Sequence, residues 1–497
     1  MAFFPPCFIS GRTRKMTRFR GSGSYSPLYN TGAASAVRQG LSRLGNYRFF
    51  RRLVALLLVS AVGLYVAKYL LYENLAVASQ VGADDTHSLD TVPVAATDIP
   101  LDDHASTALD PADAALSQLC GQTRWTDGLW LHCHSGCGPE ETSICGGLNN
   151  ARNRLQTCVR LAISIGAGVA VPHVTTRSET SLNLLDTGVV CPEAWFDMDR
   201  LSSELTRLCP GMKVRSCDVR AASGTVVVHL PDRDYKDRPH FNNTFQQVVE
   251  SHLGEQGHDL STINADRPVR LMYQDAHLAW CYRESGELST IRKALFRALT
   301  YNQTLLDISD ALANSPALRD GYFAVHLRGE SDWPAYWGTP DVQMKLQRDA
   351  IERVNAAAKE PVKTVYVSTG ERHVFQTFKE MLEVRNYTVH DKWSLLADRP
   401  DESAILERLL WDQKGVAEYN VMVRAKYWSG VFVSTLSAMV AYHRVMDDVD
   451  EFWSTYIYPG SAKWGLQRTY SESVVIRGNG QTMGFVVDGQ EIMDAFP

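Results

Sequence analysis

Two segments of the sequence each lack charged residues of one sign. Residues 1–52 contain no Asp or Glu although they contain ten Arg or Lys, and residues 73–119 contain no Arg or Lys. Over all 497 residues the two signs nearly cancel, and the formal net charge is −6. A chain with so little net charge is not expected to bind nucleic acid, so we predict no nucleic-acid partner.

The patterns of common metal sites are also missing. No D-x-D triplet stands at a predicted strand end with the spacing of a nucleotide-bound metal, and the triplet in FDMDR at residues 196–200 begins a predicted helix. CHSGC at residues 133–137, with His132 adjacent, has no second C-x-x-C-type pair at zinc-finger spacing. The sequence therefore predicts no metal and no other cofactor.

Cysteine is absent after residue 281, and nine of the ten cysteines lie between residues 120 and 281. Disulfides that brace the first half of the body are therefore expected, as in proteins of an oxidising compartment. Their pairing does not follow from spacing, and an odd number leaves room for one free thiol. Sequons at Asn242, Asn302 and Asn386 fit the same secretory compartment.

One long hydrophobic run occurs, at residues 53–72, interrupted only by Lys68. At about 1.5 Å per residue it spans the roughly 30 Å hydrocarbon layer. A buried core helix would not need such unequal flanks, and a cleaved signal peptide has a shorter basic region. The positive-inside rule predicts a cytosolic tail at 1–52, a type II membrane anchor at 53–72 and a disordered stem at 73–117. The body would then be lumenal, in the Golgi or the endoplasmic reticulum.

The first half of the body mixes apolar runs with helical periods. GGLNNARNRLQTCVRLAISIGAGVAVP at residues 146–172 predicts a turn, an amphipathic helix and a buried strand. FDMDRLSSELTRLCP predicts a helix that ends before Pro210. Residues 288–313 predict one long helical stretch that closes this half.

The second half alternates strand and helix. YFAVHL, VKTVYVS, YTVH and GVFVS are predicted strands, and amphipathic segments separate them. Such alternation implies a parallel sheet covered on both faces. Ligands bind beyond the carboxyl ends of such strands, which places His326, Ser368 and Ser434 at one rim.

Charge follows the first of these strands at once, in HLRGESDW at residues 326–333. Arg328 keeps its proton and presents a planar fork of donors that suits phosphate oxygens. It could instead be a rim arginine paired with Glu330 or Asp332, and these two carboxylates are also candidate bases or acceptor contacts. Trp333 and two following aromatics can stack on a sugar or simply pack.

Three further motifs place hydroxyls, glycines or amides at strand ends and turns. VYVSTGE, VSTLSAM and GGLNNAR each suit a phosphate or a sugar, because helix N-termini and glycine turns expose backbone N–H groups. Each also has a plain alternative, a helix cap for the first two and a tight turn for the third. The candidate residues are Gly146, Gly147, Asn149, Asn150, Ser368, Thr369, Ser434, Thr435 and Ser437.

In their order and setting these four motifs resemble the fucosyltransferase superfamily that includes protein O-fucosyltransferases. The likeness runs from about residue 145 to residue 444 and also takes in DKWSLL and LLWDQKGVAEYNVMVRAKYW. It implies the GT-B fold, an α/β fold in which two Rossmann-like domains face an interdomain cleft. We assign residues 118–315 to a disulfide-braced acceptor-side domain and residues 316–497 to a nucleotide-sugar-binding domain.

The resemblance implies inverting, metal-independent transfer of fucose from GDP-fucose to a protein or glycan hydroxyl. Arg328 would hold the diphosphate and assist its departure, and His326 would help to form the nucleotide pocket. Asn150 matches the family's glycine-loop asparagine, and the helix start at residues 434–437 would bind phosphate. Glu418 occupies a place where the family often has aspartate.

Two other functions stay open from the sequence. One is a transferase that uses another nucleotide sugar, and the other is a non-catalytic lumenal module that binds sugar or protein on the same fold. Arg328 favours an enzyme, because a binding module does not need a cation at that strand end.

Overall fold

The computed structural model describes residues 109–178, 185–219, 221–230, 242–274, 286–333, 339–431 and 434–447, with short pieces at 473–476, 486–487 and 490–491. The predicted tail, membrane anchor and most of the stem lie outside these ranges, as do Cys281, Tyr336 and Trp337. Within them, no helix has both the length and the apolarity that crossing a bilayer requires.

Strands and helices alternate along the described chain. The strands are β1 (Leu129–His134), β2 (Gly168–Ala170), β3 (Val174–Arg177), β4 (Leu185–Val190), β5 (Val214–Arg215), β6 (Val226–His229), β7 (Val269–Gln274), β8 (Tyr322–His326), β9 (Thr364–Ser368), β10 (Thr388–His390), β11 (Tyr427–Val431), β12 (Ser473–Ile476), β13 (Val486–Val487) and β14 (Gln490–Glu491). The helices are α1 (Pro111–Gln122), α2 (Leu148–Ile165), α3 (Met198–Leu208), α4 (Asn242–Glu255), α5 (Ile291–Ala298), α6 (Gln303–Ala313), α7 (Pro340–Ala357), α8 (Arg372–Glu383), α9 (Lys392–Leu395), α10 (Pro400–Arg408), α11 (Trp411–Ala417), α12 (Tyr419–Arg424) and α13 (Thr435–Val445).

The folded body begins earlier than the sequence predicts. The last residues of the predicted stem form α1, because Asp110 caps this helix by accepting a 2.9 Å hydrogen bond from the backbone N–H of Ala112. Ala112, Leu116 and Cys120 recur at helical spacing and are buried. The prediction of a disordered stem that extends to residue 117 is therefore wrong at its C-terminal end.

The first half forms a five-stranded parallel sheet in the order β5-β2-β1-β7-β6. Its central strand β1 is buried along its whole length, as expected of a strand covered on both faces. Strands β3 and β4 pair separately as an antiparallel hairpin. Helix α2 ends at Gly166, whose φ of 65° and close approach to the carbonyl of Arg124 require glycine.

The second half forms a parallel sheet in the order β10-β9-β8-β11-β12. This is the doubly wound order, in which the direction of winding reverses between β8 and β11. The two parallel sheets confirm the α/β class predicted from the sequence. Strand β11 ends at Val431, so Ser434 does not end a strand as predicted but begins α13.

The predicted long helix at residues 288–313 is broken into α5 and α6. The connection pairs with a distant segment: the backbone N–H of Asn302 donates to the carbonyl of Trp195 at 3.0 Å. The Asn302 side chain then caps α6 through the N–H of Leu305. Tertiary backbone pairing therefore overrides the helical period at this point.

Both halves share one hydrophobic core. Tyr366 and Trp428 of the second sheet belong to the same buried cluster as Leu131 of the first. The opposite face of the second sheet has a cluster of its own, where Val325 packs with Phe378. All described residues lie in one compact unit.

Disulfides brace the first half, as predicted. They join Cys120 to Cys209, Cys133 to Cys158, Cys137 to Cys145, and Cys191 to Cys217. No cysteine within the described ranges is free. Because both cysteines of CHSGC are bonded, that motif is not a zinc site, and the ring of the adjacent His132 bonds the carbonyl of Thr142.

Candidate active site

The carboxyl ends of β8 and β9 open into a cleft between the two sheets. The glycine turn before α2 and the helices α9, α11 and α13 complete its walls, and its volume is about 160 Å³. It lies beside the strand-order reversal of the second sheet, where parallel α/β folds bind ligands. Of the residues predicted from the sequence, those that line it are Gly146, Gly147, Asn149, His326, Arg328, Glu330, Ser368, Thr369, Glu418, Ser434 and Thr435.

Arg328 is held in the cleft by two carboxylates. Its Nη2 donates to both oxygens of Asp332 at 2.9 Å, and its Nη1 donates to Glu330. Burial alone would lower the pKa of this guanidinium, but the two carboxylates raise it above its ordinary value. The side chain is 15% exposed, and its Nε–H donates to no group in the described ranges. Arg328 is therefore a fixed cation with donor capacity left for a ligand.

Glu330 and Asp332 serve first to orient that cation. Glu330 also accepts a 2.8 Å hydrogen bond from the backbone N–H of Gly370. Burial would raise the pKa of each carboxyl, but the charge of Arg328 lowers it below its ordinary value. The pairing that the sequence left open is thus present, and it makes both groups weak proton acceptors.

A second arginine reaches the same carboxylate from the first half. Arg177, at the end of β3, donates to Oδ2 of Asp332 through Nη1 and to the carbonyl of Gly146 at 3.2 Å through Nη2. Its Nε lies 3.7 Å from Oδ1 of Asp412. Sequence reasoning missed Arg177, because nothing in VTTR distinguishes it from a surface strand residue.

Asp412 is a buried carboxyl at the first turn of α11. Burial raises its pKa to about 6, although Arg177, a hydrogen bond from the backbone N–H of Leu148 and the charge of Arg328 oppose the rise. The side chain is 7% exposed and lines the cleft. Sequence reasoning missed it too, although it lies in LLWDQKG, where one carboxylate interrupts an apolar helix start.

His326 is a neutral side chain fixed from behind. Ser437 accepts from the backbone N–H of Val431 at 2.9 Å and shares a 2.8 Å hydrogen bond with Nδ1 of His326. Burial lowers the pKa of His326 to about 4, so the ring is neutral at physiological pH. Ser437 is fully buried and is absent from the cleft wall, so it positions His326 instead of meeting a ligand.

Glu418 closes the back of the cleft. It accepts hydrogen bonds from Tyr366 at 2.8 Å and Lys392 at 3.0 Å, and Lys392 also donates to the carbonyl of Thr369 at 3.0 Å. Burial raises the pKa of Glu418 despite the charge of Lys392. This ion pair ties α9 and α12 to the end of β9, beside Ser368.

The glycine turn brings the backbone close to a charged group of each half, Arg177 and Asp412. A Cβ at Gly147, where φ is 97°, would lie 3.2 Å from Nη2 of Arg177 and 3.5 Å from Asp412. Asn149 faces the cleft and accepts a 2.9 Å hydrogen bond from the hydroxyl of Tyr301. Asn150 turns back to the carbonyl of Gly146 at 2.7 Å and is not part of the cleft wall.

The start of α13 supplies hydroxyls. Ser434 is the N-cap residue, yet its side chain makes no capping hydrogen bond, and Thr435 follows it into the cleft wall. The free N–H groups and the dipole of this helix favour an anion.

A larger cavity of about 850 Å³ lies at the opposite edge of the first sheet, beside Arg124, Glu250 and Asp259. The helices α1, α2 and α4 end near it, so their carbonyls and negative dipole ends disfavour an anionic ligand there. Elsewhere in the described ranges His173 and Asp218 flank a cysteine pair, but its disulfide leaves no thiolate to bind a metal. The cleft is therefore the better candidate for a phosphate-bearing ligand.

No model of a known protein family matches the chain. Over 190 residues it is 24% identical to a protein named O-fucosyltransferase 20 from Arabidopsis thaliana. The match covers 38% of this chain and 29% of the length of that relative.

Solved structures are also similar to the chain. Among them is POFUT1 in complex with GDP-fucose, at 12% identity and a TM-score of 0.38, covering 71% of this chain and 98% of that one. Another is the fucosyltransferase NodZ from Bradyrhizobium, at 13% identity and a TM-score of 0.33, covering 65% of this chain and 94% of that one. At these TM-scores neither structure informs the function of this chain.

Proposed function

We propose that the chain is a glycosyltransferase that transfers fucose from GDP-fucose to a hydroxyl of a protein or glycan. One observation carries the proposal: two guanidinium groups, Arg177 and Arg328, converge from opposite halves on a cleft at the strand-order reversal. The similarity of 190 residues to a protein named as an O-fucosyltransferase supports the choice of sugar.

Arg328 acts on the leaving group. The bond between C1 of fucose and the diphosphate oxygen breaks, and negative charge grows on that oxygen while the acceptor oxygen binds C1. A cation already fixed by Glu330 and Asp332 stabilises this charge without reorganising, and loss of one such donor typically costs about 2.7–4 kcal/mol. The N-terminus of α13 favours the same charge from a second direction.

Arg177 adds a second cation but also spans the cleft. Its contacts with Asp332 and Asp412 link β3 to the second half, and the enclosed volume is about 160 Å³. Pockets for small molecules usually have roughly 300–1,000 Å³, so a whole nucleotide sugar requires this cleft to widen. Release of Arg177 from its carboxylate partners would provide that widening.

The test is a donor screen with the full-length chain in detergent. We expect release of GDP from GDP-fucose, without activity on UDP- or CMP-sugars, and an unchanged rate in EDTA. Consumption of another nucleotide sugar alone would support the related transferase. The pairing of Arg328 with two carboxylates also fits a non-catalytic module, which calorimetric binding of GDP without turnover of any donor would favour.

The proposal includes the predicted cellular setting. A type II anchor at residues 53–72 would place the body in the lumen of the Golgi or endoplasmic reticulum. Four disulfides in the first half support an oxidising compartment. Protease protection of the body in intact microsomes is the expected result, and digestion without detergent would contradict this orientation.

A further inference from the structure

We propose that Asp412 is the general base that takes the proton from the acceptor hydroxyl. The inference rests on the proposed glycosyl transfer and names a residue for a step to which the sequence assigned Glu330 or Asp332.

Among the carboxylates around the cleft, Asp412 has the fewest hydrogen bonds from side chains and is therefore the one that can accept a substrate proton. Glu330 is held by Arg328 and a backbone N–H, and Asp332 is held by two arginines. Glu418 is held by Lys392 and Tyr366. Asp412 accepts a hydrogen bond from the backbone N–H of Leu148, and its Oδ1 lies 3.7 Å from Nε of Arg177. No side chain in the described ranges donates a hydrogen bond to it, so it keeps lone pairs for a substrate proton.

The position of Asp412 suits the acceptor side of the cleft. An ionised carboxylate repels a diphosphate, whereas Arg328 and the start of α13 attract one. Asp412 lies instead at the glycine turn, with Oδ1 3.5 Å from the place of a Cβ on Gly147. An acceptor hydroxyl between this turn and the sugar would lie beside the carboxylate.

Charges of several elements face Asp412 and set its proton affinity. Its pKa is lowered by Arg177 of β3, by the N–H of Leu148 at α2 and by Arg328 after β8, and it is raised by Asp332. Lys414 of its own helix also lines the cleft. Burial outweighs the cations and raises the pKa of Asp412 to about 6. At neutral pH it is then mostly ionised and still a stronger base than its paired neighbours, as general-base catalysis requires.

The proton transfer balances without another reagent. The acceptor oxygen forms a bond to C1 of the sugar, and the C1–oxygen bond breaks with its electron pair going to the diphosphate. The hydroxyl proton moves to a carboxylate oxygen of Asp412 and later passes to solvent. Water can take the place of the acceptor, so hydrolysis of GDP-fucose reports the same step.

The experiment measures kcat/KM for GDP-fucose hydrolysis against pH in the full-length chain. Wild type should lose activity with unit slope below pH of about 6. Asp412→Asn should lower the rate about 10²–10⁴-fold and remove this acidic limb. Calorimetry with GDP should show affinity that is unchanged or tighter, because the variant removes a negative charge. Asp398→Asn, which changes an exposed aspartate outside the cleft, is the matched control and should behave as wild type.

Chemical rescue of a variant distinguishes a general base at position 412 from a residue that only supports the structure. Formate added to Asp412→Ala should restore part of the rate, and Asp412→Glu should keep the acidic limb. If Asp412→Asn fails to fold, the wild-type profile and Asp412→Glu still decide, because absence of the limb in both overturns the assignment. The assignment is also overturned if Asp412→Asn loses GDP affinity by the same factor as it loses rate. An active wild type with an equally active Asp412→Asn refutes only this inference, whereas a wild type that uses no nucleotide sugar refutes the proposed function as well.

Discussion

Asp412, which lines the cleft, and Asp332, which holds Arg177 and Arg328, have pKa values that shift in opposite directions. Burial raises the pKa of Asp412 from an ordinary 3.8 to about 6. At Asp332 the charges of Arg328 and Arg177 overcome burial and lower the pKa. We therefore expect asparagine at these two positions to change the free energy of unfolding with opposite signs at neutral pH.

The magnitude at Asp412 follows from linkage between protonation and folding. A proton on this raised group stabilises the fold, and that stabilisation is complete below pH of about 3.8 and is lost as the pH rises to about 6. Two pKa units correspond to a cost on the order of 3 kcal/mol above pH 6. Asp412→Asn carries no charge and avoids this cost, so it should be more stable than wild type at pH 7–8 and equal to it near pH 4.

Asp332→Asn is the matched counterpart. A carboxyl whose pKa is lowered by folding contributes stability above its ordinary pKa, and this contribution is lost as the pH falls. Removal of its charge leaves Arg177 and Arg328 short of a partner, which should destabilise the chain at neutral pH and matter less in acid.

The assay is the melting temperature of the full-length chain and both variants between pH 4 and pH 8. For roughly 300 ordered residues, about 2.1 cal/mol/K of unfolding entropy per residue converts 3 kcal/mol into about 5 °C. We expect Asp412→Asn to melt about 5 °C above wild type at pH 8. A difference that stays constant from pH 4 to pH 8, or destabilisation by Asp412→Asn at pH 8, would refute this reasoning.

Two further predictions concern the glycine turn at Gly147 and the glycosylation of the sequons at Asn386 and Asn302. Gly147→Ala should cost about 1–3 kcal/mol in kcat/KM for GDP-fucose hydrolysis, because alanine is strained at a φ of 97° and its Cβ would lie 3.2 Å from Arg177, which must then shift. Gly257→Ala, with a φ of 76° and open space, is its control and should hydrolyse GDP-fucose as wild type does. In cells that glycosylate secretory proteins, mass spectrometry should find a glycan on exposed Asn386 and none on Asn302, whose Nδ2 donates to a carbonyl at 2.7 Å; the reverse pattern would contradict this.

Local patterns predicted the parts of the fold that depend on neighbours in sequence. Alternating apolar runs and helical periods correctly indicated the parallel sheet of the second half, and the position of Arg328 after β8 followed from a strand end. The break between α5 and α6 was not predictable in this way. It depends on backbone pairing between Asn302 and Trp195, which only the folded chain brings together.

The site was predicted in part. Motifs at strand ends, helix starts and the glycine turn indicated Arg328, His326, Ser434 and Gly147, because such places face ligands in parallel α/β folds. Arg177 and Asp412 belong to the site through packing of the two halves, and Arg177 lies 155 residues from its partner Asp332. Nothing in the local sequence of either residue signals this contact.

The most direct test of the central claim compares wild type with Arg328→Lys in hydrolysis of GDP-fucose. Lysine keeps the positive charge that Glu330 and Asp332 need but has no counterpart of the Nε–H that Arg328 keeps for the diphosphate. We predict a kcat/KM about 10²–10³-fold below wild type, with the melting temperature nearly unchanged. Equal kcat/KM for the two proteins would contradict the role of Arg328 in stabilising the leaving group.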